Sequence, residues 1–477
     1  VRAGWPGGQP SGLPEPAVTT PAWWGAHLLE RGDDSAVWAR TDVDMTLGEL
    51  RAGVAELDAR FAREGIGGDS TVALRMPPSL TLLQALLALW SRGTQVMLTD
   101  ARLKPAELSR LYELRRPQFT VEGGRPGQMV QGFRAAAEFT VRRHDDGRAR
   151  TGDACLVQFS SGSTGRSKVI GRTARSILDE LDRYAALPLM PAEGEHVVLL
   201  NSVIHTLGLF GGVLHGLNVG TTLVLPAGAQ PSDVLRAAAD TGAESLFGVP
   251  MHFDLLGRMA AVPLPALRLA VSAGEVLPSD VQQRFVDRFG VPISQVYGMT
   301  EVGIIASDLG GSHPPPAVGT PAPGIEVREL AGELSVRTPL SPYLTDEGAD
   351  RWSDGWLRTF DRCTIDPATG VISITGRADA TVVIGGLKVD LAEVEAVLRE
   401  HPRIQEAVVV FGTVIEAHVG VDGRLTPADV IDWCRSRLSD HKIPKLVYPA
   451  PSVPRNAMGK LLRNRDLLHA ARTSRPR

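Results

Sequence analysis

Leu156-Val-Gln-Phe-Ser-Ser-Gly-Ser-Thr-Gly-Arg-Ser-Lys168 is the stretch on which the reading of this chain turns. It opens as an apolar run, Leu156 to Phe159, with the length of a buried strand, then changes to hydroxyls and glycines and ends on a lysine. Gly162 and Gly165 permit the dihedrals of a tight anion-binding loop. Ser160, Ser161, Ser163 and Thr164 offer hydroxyl donors to phosphate oxygens, and Lys168 offers a charge. No Gly-Lys-Ser/Thr triplet closes the loop, so it is not the usual nucleotide P-loop. Taken alone, such a stretch is more often a surface turn, and the rest of the chain has to decide.

Upstream, residues 1–21 are rich in Pro and Gly and read as an extended arm. A helical pattern begins at Trp23. Thr46 and Glu49 stand at capping-box spacing ahead of a helix. Strands at Val72–Met76 and Val96–Leu98 alternate with helices at Leu80–Trp90 and Pro105–Leu114, and 123–132 reads as a loop. Downstream the alternation continues: strand Val197–Leu200 into Asn201-Ser-Val-Ile-His205, helix Gly208–Asn218, strand Thr222–Leu225, Ser245–Pro250, Leu267–Val271 into Ser272-Ala-Gly-Glu275, and Ile293–Val296 into Tyr297-Gly-Met-Thr-Glu301. Such alternation argues for an α/β fold of doubly wound, largely parallel sheets. Polar clusters at the C-terminal ends of the strands fall where ligands bind in open α/β sheets. For any single cluster an ordinary loop is the plainer reading.

After Pro314-Pro-Pro316 the pattern becomes alternating, as in Gly332-Glu-Leu-Ser-Val-Arg337, so a small antiparallel β subdomain is expected over about 317–376. Gly376-Arg-Ala-Asp379 marks a boundary. The remainder, 381–477, reads as a compact α+β domain with strands near Val382, Ala407–Phe411 and Ala417–Val421 and helices Leu391–Glu400 and Pro427–Leu438.

At 477 residues the chain is too long for one core. Its net charge of −4 supplies no basic field for nucleic acid or anionic membrane. Three separated cysteines, Cys155, Cys363 and Cys434, indicate neither a disulfide framework nor a zinc knuckle. With no signal-peptide core in Val1-Arg-Ala-Gly-Trp-Pro6 and no apolar run long enough to span a bilayer, a cytoplasmic location is expected.

With these clusters in hand, the chain resembles the adenylate-forming superfamily of acyl- and aryl-CoA synthetases, luciferases and peptide-synthetase adenylation domains. The matching motifs, in family order, are Ser160–Lys168, Tyr297–Glu301, Asp361, Gly376–Asp379, Gly385-Gly-Leu-Lys-Val389 and Gly459-Lys460, and they cover about residues 25 to 470. The resemblance implies an AMP-binding N-terminal domain over 22–376, a hinge over 377–380 centred on Asp379, and a small C-terminal domain that rotates between two half-reactions. A carboxylate attacks the α-phosphorus of MgATP to give an acyl-adenylate. A thiol of CoA or of carrier-protein pantetheine then displaces AMP. By resemblance Lys460 is the cation at the attack site, Thr300 donates to the α-phosphate, and Glu301 holds Mg²⁺. Asp361 accepts the ribose hydroxyls, Arg377 supports ribose or phosphate, Tyr297 with Gly274-Glu275-Val276 reads the adenine, and Gly386 lines the thiol tunnel. Each has a plainer reading too: Lys460 an exposed lysine, Tyr297 a core aromatic, Asp361 a turn residue.

His205 occupies the place of a histidine in acyl- and aryl-CoA synthetases, and the Asp that pairs an amino acid's ammonium is missing. The implied acyl pocket, Ile204, Leu207, Phe210, Gly248, Val249, Met251, Ala273, Gly298 and Ile304, is apolar, and Ser272–Pro278 is similar to benzoate-type CoA ligases. A bulky apolar or aromatic, non-amino-acid carboxylic acid is therefore the expected substrate. The chain departs from the pattern twice: Ser167-Lys168-Val169 replaces Pro-Lys-Gly, and Thr359-Phe360-Asp361 replaces Thr-Gly-Asp. The first stiffens the phosphate loop and the second adds bulk beside the ribose. That raises the expectation of a weak first half-reaction, at the extreme with a partner ligase supplying the adenylate. The other readings are a stand-alone ligase that loads a carrier protein, with no carrier domain following Arg477, and a catalytically silent ligand-binding relative.

Overall fold

The computed structural model describes residues 23–473, apart from 102, 104, 124–131, 162–166, 229, 261, 347, 378–380, 385–386, 439 and 457–458. The capping box forms as its spacing requires: Thr46 Oγ1 accepts from Glu49 N at 3.2 Å, and Thr46 N donates to the Glu49 carboxylate at 2.8 Å, opening helix Leu47–Arg63. Helix Leu80–Ser91, apolar on nearly every side, is buried along almost its whole length, as a helix wedged between layers must be.

Two large sheets flank such helices. A six-stranded sheet runs Phe139–Arg143, Phe119–Gly123, Thr71–Arg75, Gln95–Leu98, Ala154–Ser161, Ser167–Thr173, parallel at its centre and antiparallel at both edges. A 14-stranded sheet has a parallel centre: Val37–Arg40, Thr222–Val224, His196–Leu199, Ser245–Gly248, Leu269–Ala273 and Ile293–Met299. It continues antiparallel through Gly303–Asp308 and Ala317–Pro321. Ala317–Pro321 also pairs with Ile372–Arg377, so the antiparallel strands expected as a separate β subdomain hang from the main sheet by a shared strand. They still bury a cluster of their own around Leu334, Val336, Leu357 and Ile372.

Beyond residue 380 another apolar core gathers Val389, Val394, Leu398, Ala407, Ala417, Val430 and Val447. Its three-stranded sheet pairs Ile404–Phe411 with Ile415–Val421, and the latter with Leu446–Ala450. That last strand and helix Arg465–Thr473 are additions to the elements read from sequence. The helix expected over Gly208–Asn218 is a π-helix, Leu207–Leu214, followed by α-helix His215–Val219. Gly208 explains part of this: a Cβ there would sit 2.2 Å from the Ser202 carbonyl oxygen, so only glycine lets the first turn press so closely on the preceding loop. All three cysteines are buried and free, and among the described residues no helix is long and apolar enough to cross a membrane.

Candidate active site

The opening motif forms a hairpin. Ser160 pairs with Lys168 and Ser161 with Ser167, so Lys168 stands on the return strand rather than in the loop. Gly162, Ser163, Thr164 and Gly165 lie outside the described residues, as do the side chains of Ser160 and Ser161. Val169, expected to stiffen a phosphate loop, is instead a fully buried strand residue opposite Phe159. That departure therefore belongs to the core.

Strand Ile293–Met299 carries Tyr297 to its C-terminal end, and strand Trp356–Ile365 brings up Asp361. The Tyr297 hydroxyl donates to Asp361 Oδ2 at 2.6 Å, and Arg377 Nη1 donates to Oδ1 at 3.0 Å. Tyr297, expected to read the adenine, orients the carboxylate through this bond. Burial raises the Asp361 pKa, and Arg377 and Tyr297 pull it back down.

Thr300 and Glu301 follow in the turn before Gly303–Asp308. Glu301 is buried, and its Oε1 accepts from the Tyr343 hydroxyl at 3.0 Å and from Arg351 Nη1 at 3.3 Å. Both partners use the same oxygen, which leaves Oε2 without a hydrogen bond among the described residues. Arg351 is fixed in turn by donating to the carbonyls of Arg358 and Thr359 at 3.1 and 2.8 Å. Lys168 lies close by, for a Cβ on Gly348 would meet both Lys168 Cδ and the Tyr343 ring at 3.0 Å.

Lys460 arrives from the far end of the chain on a tight loop, where Lys460 N donates to Asn456 Oδ1 at 3.0 Å and Asn456 N to the Lys460 carbonyl at 2.7 Å. A Cβ built on Gly274, whose φ is +90°, would lie 3.9 Å from Lys460 Nζ. The lysine is thus delivered against the Gly274-Glu275 backbone. The residue as a whole is exposed, yet protein crowds its ammonium enough that desolvation lowers its pKa, with Glu275 and Asp361 pulling it back up. Glu275 is raised by burial and faces Arg455 at 3.7 Å. Lys168, Arg351, Arg377, Arg455 and Lys460 thus stand among the carboxylates Asp361, Glu275 and Glu301, with Arg455 also paired to Glu406.

The acyl-pocket residues divide. Leu207, Phe210 and Ile304 belong to one buried apolar cluster, with Ile204 and Ala273 packed against it. Gly298 abuts Ile304, since a Cβ there would meet the Ile304 Cα at 3.2 Å. Gly248 is hemmed in by His252 and Phe253, Val249 is half-buried and Met251 opens to solvent, so these three lie outside that buried cluster; Val276, expected beside the adenine, is exposed. His205 is half-buried directly after Ile204, whose carbonyl accepts from Gln158 Nε2 at 3.0 Å. Asp379 and Gly386 lie outside the described residues. Sequence reasoning missed Tyr343, Arg351 and Arg455; nothing local marks either arginine, and their importance comes only from distant carboxylates.

The crevice thus brings together a carboxylate held by a tyrosine and an arginine, a buried glutamate and a lysine from the C-terminal region. The AMP-binding enzyme family matches residues 26–334 and the AMP-binding enzyme C-terminal domain residues 393–460, and the chain belongs to this family. It is 26% identical to a 2-succinylbenzoate–CoA ligase of Bacillus licheniformis over 93% of this chain and 98% of that protein. It is 27% identical to a 4-chlorobenzoate–CoA ligase of Arthrobacter sp. over 95% of each. Its fold is that of the O-succinylbenzoate coenzyme A synthetase of Bacillus subtilis solved with AMP, with a TM-score of 0.77 at 22% identity, covering 93% of this chain and 98% of that one.

Proposed function

We propose that this enzyme is an ATP-dependent acid–thiol ligase that activates a hydrophobic, non-amino-acid carboxylic acid as its acyl-adenylate and transfers the acyl group to the thiol of CoA. The observation that carries the reading is the placement of Lys460 against Gly274 in the crevice that also holds Asp361. In the first step a carboxylate oxygen bonds to the α-phosphorus and pyrophosphate leaves. Two unit charges ~4 Å apart repel by ~4 kcal/mol at an effective dielectric of ~20. A cation that cancels this repulsion is worth about three orders of magnitude in rate. Lys460 supplies that charge. Asp361, held by Tyr297 and Arg377, accepts the ribose hydroxyls. Glu301 fits a role as Mg²⁺ ligand, because its partners leave Oε2 for a cation. Bound with ATP, Mg²⁺ would neutralise phosphate charge there. In the second step the thiol attacks the acyl carbon and AMP leaves.

The apolar wall of Ile204, Leu207, Phe210 and Ile304 and the aryl acids in the names of the relatives support a hydrophobic, most simply aromatic, acid. The test is mass spectrometry of products from the protein with ATP, a panel of aryl and polycyclic acids, and either CoA or a pantetheinylated carrier protein. Thioester with CoA is expected. Robust amino-acid-dependent pyrophosphate exchange, with no thioester from any acid, would overturn the reading.

A further inference from the structure

The C-terminal region holds a second group of chemistry-bearing side chains that the adenylation site does not use. Glu416 and His418 stand two residues apart on strand Ile415–Val421, on one face of it, and both are buried. His469 reaches them from the last helix, Arg465–Thr473. One possible ligand atom from each of the three lies within 4.8 Å of the other two. His469 Nε2 is 2.7 Å from Glu416 Oε2, and Arg465 Nε donates to Glu416 Oε1 at 2.6 Å. Tyr448 walls the group in, its ring centroid 4.8 Å from that of His418 and 5.4 Å from that of His469.

Docking of the last helix accounts for Arg465 and His469, which satisfy both oxygens of a buried carboxylate. It does not account for His418, which is 2% exposed and whose Nε2 is sealed from solvent with no hydrogen-bond partner among the described residues. A buried polar nitrogen without a partner is costly and calls for an explanation. Beside it lies a cavity of about 20 Å³ bordered by His418, Tyr448, Ser452 and Arg472, room for a single water.

We propose that Glu416, His418 and His469 form a binding site for a divalent transition metal, Zn²⁺ foremost, that clamps the last helix to the C-terminal sheet. Two imidazoles and one carboxylate are borderline donors that suit Zn²⁺, whereas Mg²⁺ and Ca²⁺ call for oxygen alone. On binding, the proton between His469 Nε2 and Glu416 Oε2 leaves to solvent and both atoms become ligands. His418 gives the third bond, and a water gives the fourth. Zinc bonds of about 2.0–2.2 Å hold tetrahedral ligands about 3.3–3.6 Å apart, so the His469–Glu416 pair, now at 2.7 Å, has to open while His418 draws in. His469, part-exposed on a terminal helix, is the group that moves to open the pair. Arg465 and Arg472 face the site and oppose a cation, so the affinity falls below that of a thiolate site.

The experiment is equilibrium dialysis of the full chain against ZnCl₂, with metal content measured, and a parallel titration with CoCl₂ read by visible absorption. One Zn²⁺ per chain and the intense Co²⁺ bands of four-coordination are expected in the wild type. Glu416→Gln and His418→Leu should weaken uptake at least tenfold. Should these buried variants fail to fold, His469→Gln on the part-exposed helix carries the same expectation, and added Zn²⁺ should raise the unfolding temperature of the wild type but not of this variant. Equal uptake by wild type and His469→Gln means adventitious binding at other histidines and overturns the proposal, as does no uptake by the wild type.

Discussion

Phe360 holds a backbone φ of +59°, the left-handed region where the corresponding family motif has glycine and where a large side chain is strained. Its ring lies 4.9 Å from the guanidinium of Arg351 and 4.7 Å from that of Arg358, and its amide donates to Glu333 Oε1 at 3.1 Å. The two contributions can be separated. Phe360→Ala loses the ring and keeps the strain, whereas Phe360→Gly loses the ring and sheds the strain. The glycine variant should therefore be the more stable of the two by about 1 kcal/mol in chemical denaturation. Equal stabilities would mean that the φ is not strained. Val169 behaves differently although it too stands where the family has glycine. It is fully buried, so Val169→Gly removes a packed side chain and loosens a strand, and should destabilise by about 2–4 kcal/mol. A faster enzyme with undiminished stability would contradict its place in the core.

Among the elements, helix Ala174–Ala186 shows how buried charge fixes the site's surroundings. Its Glu180 accepts from Arg172 at 2.6 Å and from the backbone of Ile304 at 3.2 Å, and both side chains of the pair are almost wholly buried. Glu180→Ala would leave the Arg172 charge buried without its partner carboxylate and should cost about 3–5 kcal/mol in unfolding free energy. The junction between the π-helix and the following α-helix carries His215, which burial pushes down to about 4 while its Nε2 meets the Pro191 carbonyl at 3.2 Å. An unfolded histidine titrates near ~6.5. The folded value is depressed, so this stabilisation is complete above about pH 6.5 and is lost as pH falls towards 4. Unfolding temperature should fall across that window, and His215→Gln should flatten the decline. Strands such as Thr71–Arg75 and Ser245–Gly248 were legible because short apolar runs bounded by turns have little else to become. Leu446–Ala450 was hidden by Pro449, which an edge strand tolerates. The π-helix was hidden because its glycines are explained by what they press against. The Asp361, Glu301 and Lys460 positions were readable from their motifs. Arg351 and Tyr343 were not, since they lie 50 and 42 residues from the glutamate that gives them meaning.

At the scale of the whole molecule, the proposed first half-reaction draws on contacts between the C-terminal region and the crevice that holds Asp361. Lys460 stands against Gly274, and Arg455 links the two sides, facing Glu275 at 3.7 Å while bonding Glu406 at 2.5 Å. If the C-terminal region rotates away for thiol transfer, these contacts exist only during adenylation. Lys460→Ala should then lower adenylate formation by about three orders of magnitude. Arg455→Ala should lower it less, because it removes a partly exposed ion pair and leaves the lysine in place. Both variants should still convert supplied acyl-adenylate and CoA to thioester at close to the wild-type rate. A bulky residue at Gly386, outside the described residues, should do the reverse. Single-turnover measurements from acid plus ATP and from synthetic adenylate plus CoA separate the two steps. The same pair of measurements on the wild type decides whether Phe360 leaves adenylation the slower half. Equal loss of both half-reactions in Lys460→Ala and in the Gly386 variant would show that one arrangement of the molecule serves both steps.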